Sequence, residues 1–229
     1  MKPKIVALVP MRHHSQRVPG KNYRPIAGKP LFHHVLKNLQ MVASINNIVV
    51  DTDSDEIIRG LKEYFPEVII LERPAHLRAD DISMNEILLH DIENVKADFY
   101  IQAHSTNPLV KPATYSRAIA TFLENLAIHD SLFAVTRLQV RLWDHAGNPI
   151  NHDPDVLLQT KDLPPIYEEN SCFYIFSGEI LKKRHNRLGY KPMLFEIDRA
   201  EAWDIDEEID FKLVEMMMAL RDQESASGV

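Results

Sequence analysis

Apolar residues along this chain fall into short unbroken runs separated by longer stretches in which they recur every three or four positions. Residues 5–9 form the first run, Ile-Val-Ala-Leu-Val, stopped by Pro10. A run of that length, apolar at every position, predicts a strand buried on both faces of a parallel sheet. Helical spacing follows Pro30, with Leu31, Val35, Leu36 and Leu39 on one face and proline at a tolerated helix start. The alternation then repeats. Strands are predicted over 48–51, 68–71, 98–102 and 132–135, and helices over 55–65, 87–95 and 115–126. Ser83 and Glu86 precede the 87–95 helix at capping-box spacing.

Residues 139–165 break this rhythm. Periodicity disappears and Gly147, Pro149, Pro154, Pro164 and Pro165 collect there, which marks an arm or insertion. Strand character returns over 170–176 and 193–197, a helix is predicted over 207–220, and the tail after Arg221 is expected to fray. Repeated strand and helix alternation predicts a three-layer α/β/α sandwich whose ligand lies beyond the carboxyl ends of the strands. The 229 residues suit one such domain spanning 1–229, with the arm as an excursion within it.

Charge narrows the partners. Lys and Arg total 26 against 33 Asp and Glu, a net charge of -7, which argues against a surface that coats nucleic acid. An anionic ligand must instead meet a local basic pocket. The single cysteine, Cys172, excludes an internal disulfide framework and a Cys-rich zinc site and fits a reducing cytoplasm. No apolar run approaches the roughly 20 residues of a membrane helix, so a cytoplasmic protein with neither membrane nor nucleic-acid partner is expected.

Three polar clusters follow predicted strand ends: the loop with Arg12, Ser15, Arg17 and Lys21, the Asp51-Thr52-Asp53 turn, and the loop from Gln102 to Pro108. A basic loop so placed can wrap a polyphosphate, although a solvated surface loop is the plainer reading of charge alone. The adjacent His13 and His14 are more often exposed than ligating in such a loop. Near the C-terminus, Asp204 and Asp206 stand two apart in an extended segment and so point to the same side. Two carboxylates completed by phosphate oxygens and waters suit Mg²⁺. Alternatively, one of them caps the helix that begins near Glu207.

The order of residues in these clusters adds a resemblance. Leu8-Val9-Pro10-Met11-Arg12, then Ser15-Gln16-Arg17-Val18-Pro19-Gly20-Lys21-Asn22, then Ile26-Ala27-Gly28-Lys29-Pro30-Leu31 resembles the signature loop of the acylneuraminate and deoxyoctulosonate cytidylyltransferases. Asp204-Ile205-Asp206 resembles the metal motif of the same family. The resemblance implies a Rossmann-like sheet of the nucleotide-diphosphosugar transferase type with a small dimerisation arm. It also implies CTP-dependent activation of a 2-keto-3-deoxy sugar acid, a sialic-acid-like nonulosonate, to its CMP-sugar with release of pyrophosphate. Arg12, Ser15, Arg17, Lys21 and Asn22, with Arg73, Asp80 and Ser83 over the base, are then nucleotide-site candidates. Arg12, Lys21, Asp204 and Asp206 would be catalytic, the two aspartates holding Mg²⁺, and Gln102, Arg141 and Asn170 would face the sugar. A homodimer joined through the arm is implied as well.

The chain departs from the family pattern at His13 and His14, where paired small residues often occur, and at two places that bear more on function. Gln16 stands where lysine is usual, and Glu168 or Glu169 where an arginine is expected, with Arg141 as the substitute cation. These departures leave open a nucleotidyltransferase for another sugar or base, and a nucleotide-binding module without turnover. Cys172, inside an apolar run, is expected to be buried and inert.

Overall fold

The structure, a computed structural model, describes residues 2–227. Its frame is a seven-stranded sheet in the order β5-β4-β1-β6-β8-β7-β9. β1 (Ile5–Leu8), β4 (Asn47–Thr52), β5 (Ile69–Glu72) and β6 (Phe99–Ala103) run parallel. β8 (Ile166–Phe176) lies antiparallel between β6 and β7 (Ser131–Leu138), and β9 (Pro192–Glu196) is parallel to β7. β2 (Pro25–Ile26) and β3 (Lys29–Pro30) make a separate two-stranded hairpin.

Side chains of successive strand residues alternate between two cores. Ile5, Ala7 and Val9 enter one core, with Phe32, Val35, Leu36 and Leu39 of α1 (Leu31–Gln40), Ile57 and Leu61 of α2 (Asp55–Tyr64), and Ile119 and Phe122 of α4 (Pro112–Glu124). Val6 and Leu8 enter the other, with Leu88 and Ile92 of α3 (Met84–Asn94) and Leu181 of α5 (Gly178–Arg184). Helices thus cover both faces, as the all-apolar first run requires. Ser54 and Ser83 cap α2 and α3 by accepting the N–H of Ile57 and Glu86. α6 (Glu208–Ser227) closes the described chain.

Several expectations need correction. The predicted strand 170–176 is the end of an eleven-residue strand that starts at Ile166 and therefore includes Glu168 and Glu169. α5 was not foreseen. The segment after Arg221, expected to fray, is helical through Ser227, and residues 228 and 229 lie outside the described residues. A largely irregular segment joins β7 to β8. Among the described residues no helix is long and apolar enough to cross a membrane.

The sheet order places a switch point beside β1. β4 and β5 step outward on one side, and α3 then returns the chain to β6 on the other. Loops leaving the carboxyl ends of β1 and β6 diverge there and leave a crevice.

Candidate active site

β1 ends at Leu8, but the chain follows β4 for three more residues. Val9 and Met11 donate to the carbonyls of Val49 and Asp51, each at 2.8 Å. The basic loop then turns at Gly20, whose φ of +67° and close approach of 2.8 Å from a would-be Cβ to the Tyr23 ring both exclude a side chain. Val18, fully buried, anchors the loop in a third apolar cluster with Ile26, Leu31, Leu109, Ile205 and Phe211. Burying Ile205 beside Val18 is what brings the loop against the C-terminal carboxylates. Ile205 points inward, and its neighbours Asp204 and Asp206 therefore face the other way.

The resulting contacts are specific. Lys21 Nζ donates to Ile205 O at 2.5 Å and lies 3.4 Å from Asp206 Oδ1, while Arg17 Nη2 pairs with the same carboxylate at 2.9 Å. Asn22 is a strut: its Nδ2 donates to Arg12 O at 2.9 Å and its Oδ1 accepts from Ser105 Oγ at 2.7 Å. Arg12 Nη1 and Gln16 Nε2 hold the two oxygens of Asp80 at 2.5 and 2.8 Å. The Gln16 departure is thus engaged by Asp80.

A cleft of about 510 Å³ opens between these elements, lined by Arg12, Arg17, Lys21, Arg73 and Arg78 against the carboxylates of Asp80 and Asp206. Ligand sites commonly measure roughly 300–1,000 Å³. Against a chain charge of -7, this concentration of cations marks the cleft for a polyanion. A second cavity of about 390 Å³, lined by Glu168, Glu169, Asn170, Arg199, Asp204 and Asp206 among others, adjoins it. Asp206 lines both.

Exposure decides which cations are available to a ligand. The Arg12 and Asp80 side chains are 46% and 60% exposed, and exposed pairs contribute only about 0–1 kcal/mol. Arg12 can therefore transfer to a phosphate at little cost. Arg73 cannot, because its Nε is bound to the fully buried Asp51, with the Arg73 side chain only 5% exposed. It lines the cleft but its charge is committed.

The remaining candidates divide. Ser15 lines the cleft, and its Oγ accepts the Val18 N–H. Ser83 is exposed and caps α3. Gln102 is fully buried, its Oε1 accepting from Arg187 Nη1 at 2.6 Å. Asn170 lines the second cavity and bonds Thr136 Oγ1 and the Cys172 N–H. Arg141 bonds Leu158 O within its own arm and borders neither cavity of its own chain. His13 turns away to Ser54 and Glu56, whereas His14 lines the cleft. Cys172 is fully buried, and burial pushes its thiol pKa up.

Neither aspartate of the C-terminal pair caps the final helix. Asp210, in the first turn of α6, accepts the N–H groups of Asp206 and Glu207 at 3.0 and 2.8 Å. Asp204 is left with a buried Oδ1 that has no hydrogen-bond partner. Burial raises its pKa, the Asp206 charge adds to this, and a hydrogen bond with Thr106 opposes it.

Sequence reasoning missed two groups near the cleft. His104 lines it, and burial with the nearby Arg187 and Lys21 charges lowers its pKa to about 3, so it is a neutral imidazole at pH 7. Its position in the Gln102 to Pro108 loop was the available signal. The second is the pair His90 and Asp91, which join Asp51 and Arg73 in one network, His90 Nδ1 lying 3.4 Å from Asp51 and 3.6 Å from Asp91. Burial, with Asp51 beside it, pushes the Asp91 pKa from 3.8 to about 9 despite Arg73.

That shift has a sign. The folded state retains a proton on Asp91 that the unfolded chain releases above about pH 4, so stability falls as pH rises from there to about 9. Asp91→Asn is expected to remove this slope, which is at most about 1.4 kcal/mol per pH unit. In melting temperature that is roughly 3–5 °C per unit for a chain of this size. Thermal melts at pH 6 and 8.5 would check it, and equal slopes in variant and wild type would contradict it.

A mostly parallel sheet with a cation-rich cleft at its switch point suits a polyanionic ligand such as a nucleoside triphosphate. Residues 6–226 match the family model described as Cytidylyltransferase, and the chain belongs to that family. It is 28% identical over 241 residues to the CMP-N,N'-diacetyllegionaminic acid synthase of Legionella pneumophila, covering 96% of this chain and 98% of that protein. Post-translational flagellin modification protein B of Campylobacter coli is 27% identical over 227 residues, 93% of this chain and 94% of its own. The 3-deoxy-manno-octulosonate cytidylyltransferase of Geobacter sulfurreducens is 30% identical over 124 residues, 54% of this chain and 47% of its own. The fold is similar to the solved structure of CMP:2-keto-3-deoxy-manno-octonic acid synthetase complexed with CTP, with a TM-score of 0.73 at 18% identity over 95% of this chain and 99% of that one.

Proposed function

We propose that this cytidylyltransferase transfers CMP from CTP to the anomeric hydroxyl of a 2-keto-3-deoxy sugar acid, a nonulosonate, with release of pyrophosphate. The observation that carries the reading is Asp206, which lines both the cationic cleft and the adjoining smaller cavity. A triphosphate in the first and a sugar in the second would meet at this carboxylate. Likeness over nearly the whole chain to a diacetyllegionaminate enzyme, against about half for an octulosonate enzyme, favours the nonulosonate.

In the reaction the sugar hydroxyl oxygen attacks the α-phosphorus, the bond to the bridging oxygen breaks, pyrophosphate leaves and the hydroxyl proton is released. Arg12, Arg17 and Lys21 exchange their carboxylate partners for phosphate oxygens and steady the departing charge. The fixed loop contributes positioning, since Asn22 and Val18 hold it against the rest of the site. Asp204 and Asp206 suit Mg²⁺, because the buried Asp204 Oδ1 has no hydrogen-bond partner and a cation would relieve the burial of its charge. When bound, Mg²⁺ supplies positive charge to the α-phosphate.

The arm supports a homodimer. Val140, Trp143, Ile150, Val156, Leu157 and Leu158 are all exposed there, Leu157 at 89%, and clustered exposed apolar residues mark association surfaces. Leu157→Asp with Trp143→Asp is expected to convert a dimer to a monomer by light scattering. A monomeric wild type would overturn the arm's role. A cytoplasmic location fits the single buried thiol.

Thermal melts with added nucleotide test the CTP half of the proposal. CTP at a hundred times its Kd should stabilise the protein by about 2.7 kcal/mol, and UTP, ATP and GTP at the same concentration by less. Equal shifts from all four would contradict a cytosine-reading site.

A further inference from the structure

We infer that Arg187 binds the carboxylate of the acceptor, with the Gln102 amide beside it; the inference rests on the sugar-acid reading above. Arg187 follows α5 and comes from a different element than the one on which the family resemblance expects an arginine. That expected position holds Glu168 or Glu169, on β8.

Arg187 is a cation with no ion-pair partner, the Glu169 charge acting on it only from farther off. Among the described residues no carboxylate lies within ion-pair distance of it. Its guanidinium stacks on Tyr174 with 3.5 Å to the ring centroid, and Nη1 donates to Gln102 Oε1 at 2.6 Å. Burial lowers its pKa. The nearby Glu169 is engaged by the Tyr174 hydroxyl. Withdrawing a guanidinium from water without a paired carboxylate is costly, and stacking fixes its plane so that the remaining N–H groups stay in a fork suited to a carboxylate.

Gln102 supplies a second, independent observation. Its side chain is fully buried and its Nε2 has no hydrogen-bond partner. With Oε1 committed to Arg187, this free N–H donor stands next to the cation. Neither residue lines the two cavities themselves, but Arg187 stacks on Tyr174, whose hydroxyl bonds Glu169 and Ser171 at the wall of the second cavity. His104, two residues beyond Gln102 on the same chain, lines the cleft and feels the charges of Arg187, Lys21 and Asp206 together. The Arg187 backbone N–H is tied at 3.2 Å to Asn85 Oδ1, and the cleft-lining Met84 and Ile87 flank Asn85 in α3. The rival cation is Arg199, which lines the second cavity but is exposed.

The test uses wild-type, Arg187→Gln, Arg187→Lys and Arg199→Gln proteins with CTP, Mg²⁺, and either N,N'-diacetyllegionaminic acid or its C1 carboxamide. Arg187→Gln should raise the KM for the acid on the order of a hundredfold, the scale of a lost charge-assisted pair, with kcat changed far less and CTP binding unchanged by calorimetry. Arg187→Lys should recover part of the loss, and Arg199→Gln should raise the KM for the acid less than Arg187→Gln does. Wild type should prefer acid to amide, and Arg187→Gln should lose that preference. If Arg187→Gln melts early, the Lys variant and the acid-to-amide ratio still decide. An unchanged KM and preference, or a larger effect from Arg199→Gln, would overturn the inference while leaving the sugar-acid reading intact. A wild type that turns over neither N,N'-diacetyllegionaminic nor 3-deoxy-manno-octulosonic acid would overturn both.

Discussion

Asp206→Asn is expected to lower kcat by about a hundredfold or more at saturating CTP, acceptor and Mg²⁺, the loss expected when several kcal/mol of metal-assisted charge stabilisation are removed. The substitution preserves size and removes only charge. Because the Asp206 side chain is 43% exposed and its ion pair with Arg17 is part-solvated, folding stability should change little. The KM for CTP should stay the same or fall, since Arg17 and Lys21 lose a carboxylate that competes with phosphate. A fall in kcat without a rise in KM is therefore the signature. Near-normal turnover at saturating Mg²⁺ would remove Asp206 from the reaction.

Lys21→Met should be comparably severe, reducing kcat/KM for CTP by roughly 10²–10³-fold, as when one preorganised charge donor is lost from a reacting site. Lys21 is only 12% exposed. Its ammonium is aimed by the 2.5 Å bond to Ile205 O, so it is already placed before phosphate arrives. Methionine keeps the apolar stem and deletes the charge, which separates electrostatics from packing. A loss under tenfold, with Arg12→Met more damaging, would move the principal phosphate contact to Arg12.

The strands β1, β4 and β6 were legible because burial on two faces demands an apolar residue at nearly every position, a pattern few other elements share. β8 was only half legible. Its first residues, Ile166 to Glu169, are partly or fully exposed and carry no apolar run, so the strand's entry merged with the arm. α5 escaped because seven residues ending in Lys182, Lys183 and Arg184 give too short a period to stand out from a solvated basic stretch. Arg187 was hidden with it.

Within the site, the basic loop and the Asp204–Asp206 pair were visible because each is a local cluster with chemistry of its own. What joins them was not visible: Val18 and Ile205 share an apolar cluster across 187 positions of chain. Arg73 shows the opposite problem. Its charge suggested a nucleotide contact, but the strand register sets it on Asp51, and no local pattern reveals a partner 22 residues earlier on the neighbouring strand. Ser83 was read both as a cap and as a base contact, and its hydroxyl accepts the Glu86 N–H. Arg141 was offered as the arm's substitute for a missing cation, and it is bound within its own arm.

The most direct measurement is pyrophosphate release by the purified protein with CTP, Mg²⁺ and a panel of sialic, legionaminic, pseudaminic and deoxyoctulosonic acids, with UTP, ATP and GTP as controls. The account predicts release that requires both CTP and a nonulosonic acid, with the matching CMP-sugar as the second product. Release with another nucleotide, or no release with any acid while CTP still binds, would contradict it.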